Sequence, residues 1–343
     1  NYINSFTLFL TVLVIFIPLA QVTGPFLTDF LISLSVLSYI LIILLLNNQL
    51  HKDNRYLNIL LLFWIFILFT ALMSDYKYLS IKPSLTFFRF IVFCFVVIFI
   101  INNNKKFFLN FNISIIVVLS VLIFDGYFQF IFGKNIIGLK QLRPDRLSSF
   151  FYDELILGSY LLKFLPIMLF LYYQNLKNEK VKLLNSIIII SIIPLIFLTG
   201  ERAAFFLSIL YCILILPFIF SFKKLIVISF CFVSISVLII NSSHTIYDRY
   251  IHQLKDHLIL KIGGEKIYFP EHIGLFNSAY NNFLENKLIG SGVKSFRKTC
   301  EFNSSNFKLK LQNIEKPFDF CSTHPHNYYL QFLSELGLIG FFF

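Results

Sequence analysis

The sequence predicts an all-α membrane protein, a polytopic bundle of about ten transmembrane helices with one large extracytoplasmic loop domain. Three observations predict it. The 343 residues are 57% hydrophobic and only 14% charged, too little polar material to cover a soluble domain. Apolar runs near the length of a membrane crossing recur along the chain. The basic residues between those runs alternate in density, as they do when successive loops lie on opposite sides of a bilayer.

The runs fall at about 5–22, 26–46, 57–73, 84–101, 111–132, 155–173, 184–199, 203–220, 225–240 and 327–343. One set of loops carries Lys52, Arg55, Lys105, Lys106, Lys177, Lys180, Lys182, Lys223 and Lys224, whereas the short loops of the other set carry Lys77, Lys82 and Arg202. The richer set belongs in the cytoplasm, which places the N-terminus there and the long polar segment outside. Domains follow as a bundle of about nine helices over 1–240, an extracytoplasmic loop domain over 241–326, and the start of a further transmembrane helix over 327–343. The chain begins with Asn1 and ends inside the apolar run Leu336–Phe343, so both ends read as clipped. The net charge of +11 suits positive loops, and with no dense basic run nucleic acid is not expected as a partner.

The large loop differs from its flanks in Pro, Gly, Asn and charge. Residues 280–288 read as a short surface helix ended by Gly290 and Gly292. Cys300 and Cys321 fall in this loop, and an oxidising location would make them a disulfide, with two free thiols as the alternative. No CxxC or His–Cys spacing suggests zinc, so no metal and no cofactor are expected.

Ionisable residues where a loop enters the membrane are functional candidates, because burying them there is costly. Thr323-His324-Pro325-His326-Asn327-Tyr328-Tyr329-Leu330-Gln331 is such a place, followed by Glu335, Gly337 and Gly340. Asn327, Gln331 and Glu335 recur every four residues and form one stripe of a helix, expected to face a cavity. The alternative is an ordinary helix start capped by Asn327, with His324 and His326 resting at the interface. Arg143, Arg146 and Arg202 all map to the outer boundary, against the positive-inside trend. Together they suggest an anionic ligand, since a guanidinium can fork onto a phosphate. For any one of them, snorkelling toward headgroups is the alternative.

The signature His326-Asn327, nine residues, then Gly337-Leu338-Ile339-Gly340 resembles the shared motif of the O-antigen ligase and O-antigen polymerase family. Leu288-Ile289-Gly290-Ser291-Gly292-Val293-Lys294-Ser295-Phe296 resembles the family's glycine turn before that motif. Thr199-Gly200-Glu201-Arg202-Ala203-Ala204 is similar to its arginine between two spans, and Arg143 to Phe150 to its arginine-bearing outer loop. Where many members carry an arginine followed by an aromatic, this chain has His272 and Phe276, which leaves the second phosphate contact between His272 and Arg249.

The resemblance implies a multi-pass enzyme of the bacterial inner (cytoplasmic) membrane with a large periplasmic loop. It implies inverting glycosyl transfer from a glycan on undecaprenyl diphosphate. A ligase passes the glycan to a lipid A-core sugar, and a polymerase to a second lipid-linked glycan. The residues suit that chemistry independently. A diphosphate leaving group needs cations, which Arg202 and Arg143 supply, with Arg146 as the alternate to Arg143. An acceptor hydroxyl needs a base, and His326 is the expected one, ahead of His324. This arrangement requires residues 124 positions apart to converge. A secondary transporter is the alternative from another class, although no internal repeat relates the two halves of the chain.

Overall fold

The computed structural model describes residues 2–45, 55–174, 178–215, 217, 221–262, 265–268, 270–300 and 321–343. The elements are α1 (Tyr2–Ile15), α2 (Ile17–Thr23), α3 (Pro25–Leu45), α4 (Arg55–Met73), α5 (Lys77–Asn103), α6 (Phe107–Phe132), α7 (Leu157–Gln174), α8 (Glu179–Leu198), α9 (Arg202–Ile215) and α10 (Phe222–Ser242). Then come α11 (His244–Tyr247), a π-helical turn Asp248–His252, α12 (Gln253–Leu258), β1 (Ile259–Ile262), β2 (Glu265–Tyr268) and α13 (Pro270–Glu285). The helix α14 is described over 296–300, and α15 spans Tyr328–Phe342.

The chain is a helical, multi-pass membrane protein. Among the described residues five helices are long and apolar enough to cross a bilayer: Ile3–Thr23, Pro25–Leu44, Lys77–Asn103, Phe107–Phe132 and Glu179–Leu198. The expected count of about ten is therefore not reached among the described residues. The all-α expectation also needs one addition, because β1 and β2 pair antiparallel with Ile259 opposite Tyr268 and Ile262 opposite Glu265. A hairpin's weak alternation is easily lost inside a polar loop.

By packing, the chain divides into two compact units. One comprises Asn1–Tyr39 and Val96–Gln253, the other Ile40–Phe95 and Leu254–Phe343.

The first unit is built on α6, α7 and α8. Leu119, Leu161, Leu165, Met168, Ile192 and Leu195 are almost fully buried between them. Gly126 lets the Leu195 side chain come close to α6, since a Cβ there would stand 2.9 Å from Leu195 Cδ1. Helix α8 starts where Asn178 accepts a hydrogen bond from Val181 N at 3.3 Å, with Glu179 in its positive first turn.

The second unit is organised by two glycines. Gly290 and Gly337 both adopt left-handed backbone, at φ 68° and 66°. A Cβ on Gly290 would strike the backbone of Glu335 and Leu336, and one on Gly337 the backbone of Leu288 and Ile289. The two segments lie main chain on main chain, and hydrogen bonds bracket the crossing. Ser291 N donates to Ser334 O at 3.0 Å and Gly292 N to Glu335 O at 2.9 Å, while Leu338 N donates to Lys287 O at 2.8 Å. The backbone breaks at Gly337 inside α15, and the helix's displaced carbonyls are satisfied by the 287–292 segment instead. Ser74 and Ser80 hold the far side, donating to Ser291 O at 2.5 Å and Val293 O at 2.8 Å. Cys300 and Cys321 are joined in this unit, with α-carbons 5.1 Å apart.

Gly337→Ala meets both the left-handed penalty and a main-chain clash. It is expected to lower the stability of the detergent-solubilised protein by about 2–4 kcal/mol, read from denaturant or thermal unfolding. Gly133→Ala, where a Cβ would meet nothing within 4 Å and only the left-handed φ of 68° is at stake, should cost about 1 kcal/mol.

Candidate active site

In the first unit the 133–151 loop is ordered from beneath by α6. Asp125 accepts from Ile136 N at 2.8 Å and from the Ser149 hydroxyl. Gln129 accepts from Ser148 N at 3.1 Å and Ser149 N at 2.8 Å. One helix turn separates these two side chains, so a single face of α6 fixes both ends of the loop. The loop then lies on the turn between α8 and α9. Gly200 is left-handed at φ 69°, and a Cβ there would strike the Asp145 carbonyl oxygen.

Four guanidinium groups gather at this turn. Arg143 is half exposed and donates to both Asp145 oxygens, at 3.1 and 3.0 Å. Arg249, on the π-helical turn, is buried; it donates to Gly200 O at 3.0 Å and Gln253 Oε1 at 2.7 Å, and lies 3.5 Å from Asp145 Oδ2. Arg146 donates to Leu155 O at 2.7 Å. Its Nε is buried with no hydrogen-bond partner, as is Nη1 of Arg202, the first residue of α9. Tyr250 stacks on Phe197 at 4.7 Å and donates to Phe197 O at 2.7 Å, which ties the π-helical turn to the end of α8.

Both carboxylates of the cluster are occupied, Glu201 outside it and Asp145 within it. Glu201 accepts from Gly158 N at 2.7 Å, from Ser159 N at 3.0 Å and from the Ser159 hydroxyl. It thus caps the positive N-terminus of α7 across a gap that only a glycine at 158 leaves open, because a Cβ would strike Thr199 and Glu201. Asp145 bridges Arg143 and Arg249. Among the described residues no carboxylate forms an ion pair with Arg146 or Arg202.

Titration behaviour follows from the crowding. Burial lowers the Arg146 pKa, and Arg143 adds to the effect while Glu201 opposes it. Burial lowers Arg249 as well, followed by the like charges of Arg202 and Arg146. For Asp145, burial raises the pKa, but the hydrogen bonds from Arg143 and the charges of Arg143 and Arg249 together outweigh it and hold the carboxyl below its ordinary range.

The histidine motif lies in the second unit. His326 takes a left-handed backbone, φ 54°, between Pro325 and the cap of α15. Its ring centroid is 4.3 Å from that of His324, whose Nδ1 is 2.9 Å from Thr323 Oγ1. Asn327 caps α15 by accepting from Leu330 N at 3.2 Å. Gln331 donates to Glu335 at 3.3 Å, and the buried Glu335 accepts from Phe296 N at 3.4 Å. Of the expected polar stripe, Glu335 meets the glycine-turn segment, Gln331 supports Glu335, and Asn327 caps its own helix. His272 lies on α13, and its side chain falls outside the described residues.

Sequence reasoning singled out Arg143, Arg146, Arg202 and Arg249, and the structure gathers all four. It missed Asp145 and the capping role of Glu201. A proline and a carboxylate between two arginines, Arg143-Pro144-Asp145-Arg146, was the available signal for Asp145.

A family model described as O-antigen ligase matches residues 186–343. Over that C-terminal region the chain is similar to the O-antigen ligase family. The match takes in Glu201, Arg202, Arg249, the Gly290 turn and the His326 motif, while Arg143 and Arg146 lie before it. No curated protein and no solved structure matches the chain.

Glu201→Gln keeps the shape of the α7 cap and removes its charge. It is expected to cost about 1–3 kcal/mol, and hydrogen exchange at the Gly158 and Ser159 amides should quicken. Unchanged protection at those two amides would show that the cap does not depend on the carboxylate.

Proposed function

We propose that this protein is a member of the O-antigen ligase family and transfers a glycan from a polyprenyl-diphosphate carrier, undecaprenyl diphosphate, to a lipid A-core sugar on the periplasmic side of the inner membrane. The observation that carries the proposal is the surplus of guanidinium groups at the Gly200 turn. Arg146 and Arg202 hold buried N–H groups without protein partners, while both nearby carboxylates are occupied. Buried donors left open cost free energy, and a phosphate oxygen is the acceptor they suit. The Cys300–Cys321 pair supports an oxidising side for the 241–326 segment. The transporter alternative finds no support in the family match.

In the proposed step the acceptor oxygen forms a bond to the anomeric carbon as the carbon–oxygen bond to the diphosphate breaks. The electron pair leaves with the diphosphate, whose charge Arg146 and Arg202 stabilise, assisted by Arg143 and Arg249. His326 takes the acceptor hydroxyl proton and passes it to solvent. One displacement with no covalent enzyme intermediate inverts the anomeric carbon. Asn327 holds the start of α15, and His324 braces the His326 ring.

Transfer to a lipid A-core acceptor in membranes carrying the donor tests the roles separately. Arg202→Ala and Arg146→Ala are expected to weaken donor binding, and Arg202→Lys, which keeps charge but loses the fork, to recover little of it. His326→Ala should bind donor and lose about 10²–10⁴ in rate. Full transfer by Arg202→Ala, or near-normal transfer by His326→Ala, contradicts the assignment of that residue.

A further inference from the structure

Four guanidiniums and two carboxylates form the cluster, so Arg143, Arg146, Arg202 and Arg249 exceed Asp145 and Glu201 by two positive charges. Glu201 is spent on α7. Asp145 is the carboxylate that touches the arginines, bidentate on Arg143 and 3.5 Å from Arg249. Its side chain is only 10% exposed, so solvent screens it little.

We infer that Asp145 is a specificity-determining residue that holds the surplus at two charges, matching the glycosyl-lipid diphosphate donor and disfavouring retention of the lipid diphosphate left after transfer. The inference rests on the proposed reading of the cluster as the diphosphate site. The donor is a diester of diphosphate and carries two ionised oxygens. Breaking the sugar–oxygen bond leaves the electron pair on the terminal phosphate, which becomes a monoester with a further ionisation near pH ~6. The product is thus the more anionic ligand, and every unopposed guanidinium would hold it longer than the donor. A fixed carboxylate inside the cluster counters that extra attraction. It also keeps Arg143 and Arg249 in place without presenting their full charge to the ligand.

The experiment measures binding of two probes to the full chain in nanodiscs: farnesyl diphosphate, which resembles the product, and farnesyl diphospho-N-acetylglucosamine, which resembles the donor. The wild type is expected to bind the two within about threefold of each other, the size of a weak ion-pair difference, because Asp145 offsets the extra charge of the monoester. Asp145→Asn is expected to tighten the monoester relative to the diester by roughly 10-fold, the worth of an added charge-assisted contact, and to lower kcat and KM together as product release slows. Asp145→Glu keeps the charge and should keep the wild-type ratio of the two affinities. An Asn variant with an unchanged ratio, or one that binds both probes more weakly, overturns the inference, as does a Glu variant that behaves like Asn. If Asp145→Asn does not fold, the wild-type ratio decides, and a wild type that prefers the monoester more than tenfold overturns it. Failure of the underlying reading looks different: the wild type then binds neither probe, or Arg202→Ala binds both as well as wild type.

Discussion

Four arginines around the turn at Gly200 repel one another, and two carboxylates answer only part of that charge. Like charges brought together in a half-buried place must be held by something else. Here much of the hold is the main chain. The Asp145 carbonyl lies against Gly200, Arg249 donates to the Gly200 carbonyl, and Arg146 donates to that of Leu155. Backbone contacts and the Asp145 bridge together keep the cluster, and Arg146 Nε and Arg202 Nη1 are left without protein partners.

The surroundings read as support for that arrangement. Asp125 and Gln129 spend their acceptors on loop amides, and Tyr250 ties the π-helical turn to the end of α8. Glu201 spends its hydrogen bonds on the N-terminus of α7 and forms no ion pair with Arg202 beside it in sequence, while its charge still acts on Arg146. In the second unit the crossing of Gly290 with Gly337 plays the corresponding part, locking the segment before α14 onto α15, whose first turn follows His326.

Much of this was legible in the sequence. Apolar runs gave helices such as Phe107–Phe132 and Phe222–Ser242 within a few residues, because long uniform runs bounded by charge have one reading. The glycine turn and the Gly337 motif were both visible, but not that they touch, since contact between distant backbones leaves no local pattern. Helix α13 begins at Pro270, ten residues before the expected surface helix, because its first turns are amphipathic rather than apolar. Arg249 was visible only as a possible substitute; its place in the cluster depends on a π-helical turn that spacing does not announce. Asp145 went unread because a carboxylate beside arginines looks like a surface pair until its burial is known.

A structure of the full chain with an isoprenoid diphosphate bound tests the central claim most directly. The expected result is phosphate oxygens within hydrogen-bond distance of Arg146 Nε and Arg202 Nη1, the two buried donors that lack protein partners. A diphosphate bound elsewhere, with both of those N–H groups still buried and unaccompanied, would contradict it.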